Sequence, residues 1–176
     1  MSNSAFKFKI LLVGAAAVGK TSLISRFVKS SFETDYKLTV GVNILTKDVE
    51  YEPGEFSTLS IWDIGGQERF SFIRTTFYKG AHGVLIVFDL SRLETYNAVK
   101  DWLAEVKQFA GDVPFILVGN KYDLLAEVGE VIDRDEARSF AEDQGSIYIE
   151  TSAKDGKNVE EAFTQLTAKI VDKAKN

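Results

Sequence analysis

Gly14-Ala15-Ala16-Ala17-Val18-Gly19-Lys20-Thr21 follows an apolar run, Lys7–Val13 (KFKILLV), and opens a helical pattern in which Phe27 comes four residues after Leu23. A strand, a glycine-bounded loop and a helix N-terminus in that order make an anion trap. Successive backbone N–H groups curl around a phosphate, with the helix dipole behind them. Lys20 adds a mobile charge for the β- and γ-phosphate oxygens, and the Thr21 hydroxyl can ligate Mg²⁺. The pattern G-x-x-x-x-G-K-[ST] in this context predicts a nucleotide-phosphate site.

Composition sets bounds around that loop. The chain has 176 residues, 45% apolar and 27% charged, as expected of a single domain over residues 1–176 with a substantial core. Its formal net charge is −5, with lysines and arginines scattered. No basic stripe therefore favours nucleic acid or an acidic membrane surface. The chain has no cysteine, which excludes disulfides, thiolate zinc sites, cysteine catalysis and lipid attachment through cysteine. The longest apolar run, Val84–Phe88, is far too short to span a bilayer. Met1–Ala5 is too brief and polar for a secretory signal. The expectation is a cytoplasmic protein with no membrane anchor of its own.

Apolar segments alternate with helical patterns, which predicts an α/β fold with a mostly parallel sheet covered on both faces. Lys7–Val13 reads as the first strand, Lys20–Ser30 as the first helix, and Ser31–Thr39 as a polar exposed loop. Val42–Tyr51 and Phe56–Trp62 flank the turn Glu52-Pro53-Gly54-Glu55 and should form an antiparallel hairpin. Gly83–Asp89 (GVLIVFD) and Phe115–Asn120 (FILVGN) are continuous apolar runs, expected of strands buried on both faces. Tyr96, Val99, Leu103 and Val106 recur at helical spacing up to Gly111. Asp133–Gln144 is a helix closed by Gly145, and Ile147–Ile149 is a short strand. Val159, Ala162, Phe163, Leu166 and Ile170 mark a final helix. Six strands and five helices are expected.

In an open parallel sheet, ligands lie beyond the carboxyl ends of the strands. The segments leaving those ends are Gly14–Lys20, Asp63–Arg69, Ser91–Leu93, Asn120–Asp123 and Thr151–Lys154, and they hold nearly every polar motif. In Asp63-Ile64-Gly65-Gly66-Gln67, the carboxylate can hold Mg²⁺ directly or through a water. Gly66 lets a backbone N–H approach the γ-phosphate, and Gln67 can orient an attacking water. In Asn120-Lys121-Tyr122-Asp123, the Asp123 carboxylate accepts only, and guanine offers its N1–H and N2 amine side by side. Adenine has no such donor pair and would leave a buried charge unmatched. Asn120 can tie this segment to the phosphate loop, and the Lys121 stem can lie along the base plane. In Thr151-Ser152-Ala153-Lys154, the Ala153 N–H can read the guanine carbonyl oxygen. Thr39 could supply a hydroxyl to Mg²⁺ and an N–H to the γ-phosphate. His82 and Trp102 read as packing residues, and Asp133–Glu136 as a helix start favoured by the dipole.

Taken together, these motifs resemble those of Ras-superfamily small GTPases, and of Rab proteins most closely. The Rab-like touches are Thr39-Val40-Gly41-Val42-Asn43, Trp62-Asp63, Gln67-Glu68-Arg69-Phe70 and Phe77-Tyr78-Lys79-Gly80-Ala81. The resemblance runs roughly from Phe6 to Val171. It implies a three-layer P-loop NTPase G domain with one antiparallel strand, acting as a GTP-binding switch that hydrolyses GTP slowly. Lys20 and the backbone of Ala15, Ala16, Ala17, Val18, Gly19, Thr21 and Ser22 would hold the phosphates of GTP or GDP. Thr21 and Thr39 would ligate Mg²⁺, with Asp63 acting through water. Phe32 would stack edge-on to the base and Tyr36 would close over the phosphates. Asn120, Lys121, Asp123, Ser152, Ala153 and Lys154 would read guanine. Gln67, with Lys20 and Thr39, would carry catalysis. The loops Tyr36–Gly41 and Gly65–Tyr78 would be nucleotide-sensing switches. Ile44, Trp62 and Phe77 would face effectors, and an exchange factor and a GTPase-activating protein would complete the partners of a monomer.

Four features depart from that pattern. Ala16 replaces a common Gly or Ser near the attacking water, and Gly65 replaces the usual Ala. Ile44 replaces a common Phe, and the sequence through Asn176 holds no cysteine for the lipid anchor that the resemblance implies. No arginine placed to act in cis is evident, so hydrolysis should depend on a partner. The alternatives are a guanine-nucleotide scaffold that does not hydrolyse and, further off, a P-loop ATPase or small-molecule kinase.

Overall fold

The continuous apolar runs become the middle of a six-stranded sheet. The computed structural model describes residues 4–30, 42–67 and 71–176. Its strands are β1 (Ser4–Val13), β2 (Val42–Glu52), β3 (Glu55–Ile64), β4 (Gly83–Asp89), β5 (Phe115–Asn120) and β6 (Tyr148–Glu150). The helices are α1 (Lys20–Lys29), α2 (Ser71–Arg74), α3 (Leu93–Asn97), α4 (Val99–Ala110), α5 (Leu125–Val128), α6 (Arg134–Asp143) and α7 (Val159–Lys175). The strand order is β2-β3-β1-β4-β5-β6. Only the hairpin pair β2 and β3 runs antiparallel, with Ile44 opposite Trp62; the other pairs are parallel.

Two-residue periodicity divides the central strands between two cores. Ile10, Leu12, Leu85, Val87, Ile116 and Val118 pack on the side of α1 and α7. Leu11, Val13, Val84, Ile86, Phe88 and Leu117 pack on the side of α4 and α6. On the first side, Phe27 of α1 stacks on Phe163 of α7 with ring centroids 4.0 Å apart and planes 2° apart. Truncating one such buried leucine or isoleucine to alanine costs about 2–5 kcal/mol. Both layers thereby fix where the strand ends, and the loops leaving them, must lie.

β4 and β5 have the bounds expected from their apolar runs, and the hairpin turns where Pro53-Gly54 stands. Two helical details differ. The pattern through Tyr96 and Val106 is divided at Ala98, whose ψ of −9° departs from helical geometry and separates α3 from α4. Counting residues 93–110 as one broken rod, the described residues hold six helices rather than five. α2 and α5, which no pattern located, span a single turn each, too short to leave a periodic signature. Asp133 caps α6, its carboxylate accepting the Glu136 N–H at 3.1 Å. The expected loop Ser31–Thr39 lies outside the described residues. No helix among the described residues is long and apolar enough to cross a membrane.

Candidate functional site

The turn from β1 into α1 is set by glycines. Gly19 has a φ of 102°, and a Cβ there would lie 2.2 Å from Asn120 Nδ2; only glycine allows that approach. Lys20 follows at the start of α1, nearly fully buried, and its Nζ donates to the carbonyls of Gly14 and Ala15, both at 2.9 Å. Burial lowers its pKa to about 8; the Asp63 carboxylate opposes that shift, and the Arg74 guanidinium adds to it. The ammonium is thus available to a phosphate in exchange for its loop carbonyls.

Beside it, Thr21 Oγ1 donates to Asp63 Oδ2 at 2.5 Å, joining the first turn of α1 to the end of β3. One hydroxyl and one carboxylate are hard oxygen donors, and Mg²⁺ takes few protein ligands besides phosphate oxygens and water. Among the described residues no group of three or more His, Cys, Asp or Glu side chains could hold a metal by itself. The pair therefore fits Mg²⁺ better than a cation needing an all-protein cage. Gly66 is packed on the phosphate loop, where a Cβ would fall 2.2 Å from the Gly14 carbonyl and 2.8 Å from the Ala16 nitrogen. Gln67 follows it.

The second half of the site is built from β5 and β6. Asn120, almost wholly buried, donates from Nδ2 to the Val18 carbonyl at 2.9 Å and accepts on Oδ1 from Thr151 Oγ1 at 2.9 Å. One amide thus joins the phosphate loop, Asn120–Asp123 and Thr151–Lys154. Lys121 Nζ donates to the Ala17 carbonyl at 2.8 Å and pairs with Asp89 Oδ2 at 2.9 Å. Ser152 Oγ donates to Asp123 Oδ1 at 2.9 Å, which orients the carboxylate. Ala153 is buried and Lys154 exposed.

The structure thereby brings Ala15, Ala16, Ala17, Val18, Gly19, Lys20, Thr21, Ser22, Asp63, Gly66 and Gln67 to one edge with Asn120, Lys121, Asp123, Ser152, Ala153 and Lys154. Phe32, Tyr36 and Thr39 lie outside the described residues. Away from this edge, Ile44 is exposed opposite Trp62, whose ring centroid is 6.0 Å from that of Phe77. Lys9 Nζ sits 3.7 Å from the Trp62 ring centroid, a cation–π contact, and donates to the Lys79 carbonyl at 2.9 Å. His82 is a structural acceptor, its Nδ1 taking the Lys9 N–H at 2.9 Å.

A model of the Ras family matches residues 9–172. The chain belongs to the Ras family. It is 43% identical to the Ras-related protein RABD2b of Arabidopsis thaliana over 166 residues, 94% of this chain and 81% of that protein. It is also 43% identical to the GTP-binding protein YPTM2 of Zea mays over 169 residues, 96% of this chain and 82% of that one. As a Rab-like member of the Ras family, the protein is a GTP-hydrolysing molecular switch; the relatives give no support to a non-hydrolysing scaffold.

Within that Ras-family frame, three arginines outside the motifs reach the loops of the site. Arg26 donates to the carbonyls of Ala153 and Lys154 at 2.8 and 2.6 Å. Arg74 donates to the Gln67 carbonyl at 3.3 Å and Arg92 to the Ala16 carbonyl at 3.3 Å. No sequence motif marks them, because their partners are backbone atoms that any residue supplies.

Proposed function

We propose that the protein hydrolyses GTP at this edge with Mg²⁺ held by Thr21, Thr39 and Asp63. Bound there, the cation would neutralise charge on the β- and γ-phosphate oxygens. Lys20 adds a second positive group, and the N–H groups of residues 15–22 supply a preorganised cradle whose cost was met on folding. Gln67 would orient the attacking water; the roles that the family resemblance implies for Phe32, against the base, and Tyr36, over the phosphates, belong to the same proposal. Asp123 takes the N1–H and N2 amine of guanine, the Ala153 N–H takes its carbonyl oxygen, and Lys121 lines the base.

The observation that carries this reading is the Asn120 amide, bonded to the Val18 carbonyl and the Thr151 hydroxyl. It sets the distance between the phosphate loop and the base-reading segments for a ligand carrying both groups. Among the described residues, Arg26, Arg74 and Arg92 near the site each donate to a carbonyl, which supports slow intrinsic hydrolysis. An arginine supplied by an activating protein is typically worth about 10³–10⁵ in rate. The γ-phosphate-sensing loops would then present Ile44, Trp62 and Phe77 to an effector, in regulation of the membrane-trafficking type. An exchange factor would release GDP from the monomeric switch.

Single-turnover phosphate release tests the water-positioning role. Gln67→Leu should slow hydrolysis by about 10²-fold, the scale on which misplaced reactants cost rate. Affinity for GDP should stay unchanged. Indistinguishable rates for the two proteins would sink the role given to Gln67.

A further inference from the structure

We infer that Arg26 is a positioning residue for guanine recognition, setting how sharply the site reads the carbonyl oxygen of the base. The inference rests on the guanine-nucleotide reading above. Arg26 lies on α1, the helix that begins with Lys20. Its guanidinium grips two successive carbonyls of the loop leaving β6. Nε donates to Ala153 O at 2.8 Å and Nη2 to Lys154 O at 2.6 Å. A planar fork with donors on fixed vectors suits that task, whereas a lysine ammonium is a single point donor.

Peptide planarity carries the grip onward. The Lys154 carbonyl shares its peptide plane with the Asp155 N–H, which donates to Ser152 Oγ at 3.0 Å. Ser152 Oγ in turn donates to Asp123 Oδ1 at 2.9 Å. The Ala153 carbonyl lies one α-carbon from the N–H that would meet the guanine oxygen, so fixing it limits the angle of that donor. The loop ends at Gly156, whose φ of 85° is a glycine conformation and whose N–H closes the turn on the Ser152 carbonyl at 2.8 Å. Arg26 therefore couples the helix that carries the phosphate lysine to both base-reading groups.

The test compares GDP with 6-thio-GDP, in which sulfur, a weaker acceptor, replaces the carbonyl oxygen. Affinities are read by displacement of a fluorescent GDP analogue from the full chain, with ADP as a base control. Wild type should prefer GDP to 6-thio-GDP. In Arg26→Ala, GDP binding should weaken about tenfold, the range of a lost charge-assisted hydrogen bond. Binding of 6-thio-GDP should weaken by less than about threefold on the same scale, so the preference collapses. Arg26→Lys should fall between the two. Arg26→Gln, which keeps one amide donor, serves the same comparison if Arg26→Ala fails to fold.

An equal loss for both nucleotides, or no loss, would overturn the inference, since a merely structural arginine does not change their ratio. If wild type itself does not prefer GDP to ADP, the guanine reading fails and takes the inference with it. If wild type keeps that preference and the variants keep the thio ratio, only the role of Arg26 falls.

Discussion

Two arginine–glutamate–tyrosine clusters in this protein have the same chemistry and different reach. Behind the phosphate end, Arg74 pairs bidentately with Glu105, Nη2 to Oε1 at 2.8 Å and Nε to Oε2 at 3.0 Å, and Tyr78 donates to the same carboxylate at 2.5 Å. Beneath the base end, Arg134 pairs with Glu150 by two contacts of 2.5 Å, and Tyr148 donates to that carboxylate at 2.7 Å. In both, burial and the neighbouring carboxylate push the phenol well above its usual pKa. Each arginine also lies over an aromatic ring, Arg74 over Trp102 at 4.4 Å and Arg134 over Tyr122 at 5.5 Å.

The difference lies in the remaining donor. Arg74 Nη1 reaches the Gln67 carbonyl, so α4 is coupled to the loop that carries the side chain proposed to orient water. Arg134 Nη1 goes to Glu130, an exposed partner in the segment just before α6. The Arg74 side chain is also the more enclosed, 6% exposed against 28% for Arg134. An ion pair becomes part of a site through its third contact, not through its strength.

Neutralising each carboxylate should break that symmetry. Glu105→Gln leaves a buried guanidinium without its counter-charge, a change that costs about 3 kcal/mol. Denaturant unfolding should show that loss, and single-turnover GTP hydrolysis should slow by about tenfold, with GDP affinity preserved. A stability loss with an unchanged hydrolysis rate would refute the coupling to Gln67. Glu150→Gln acts on a more solvated pair and should cost about 1 kcal/mol, leaving hydrolysis untouched. If it slowed hydrolysis as much as Glu105→Gln, the proposed contrast would be wrong.

The smallest effect is an acid one. Burial alone would raise the Glu150 carboxyl, yet the hydrogen bonds from Arg134 and Tyr148 outweigh it and hold it below its usual 4.5. A carboxyl lowered on folding adds stability above its unfolded value, and that stability is lost as pH falls through the folded one. The gap between wild type and Glu150→Gln, followed by unfolding from pH 6 to about pH 3, should therefore narrow at the acid end. A gap that widened there would reverse the assigned direction.

Much of the fold was legible locally. Runs such as Gly83–Asp89 need no partner to announce a strand buried on both faces, because every position is apolar. Glu52-Pro53-Gly54-Glu55 is a turn by its own backbone preferences. The phosphate loop, Asp63, Gly66, Gln67 and Asn120–Asp123 stand out in the sequence because each role proposed for them demands particular residue types at fixed spacing. The single-turn α2 and α5 and the break at Ala98 were not legible, since none spans enough residues to show a period. Arg26, Arg74 and Arg92 escaped because a carbonyl acceptor leaves no mark on composition.

The sequence by itself determined the strands and the order of the loops, for these depend on neighbours in the chain. Only the tertiary structure decided which helix braces which loop. Arg26 meets Ala153 across 127 residues, and Arg74 meets Glu105 across 31. Such pairings follow from how α1, α2 and α4 seat on the two faces of the sheet. The periodicity of each helix specifies its buried face, but the neighbour opposite is fixed only when the whole core closes.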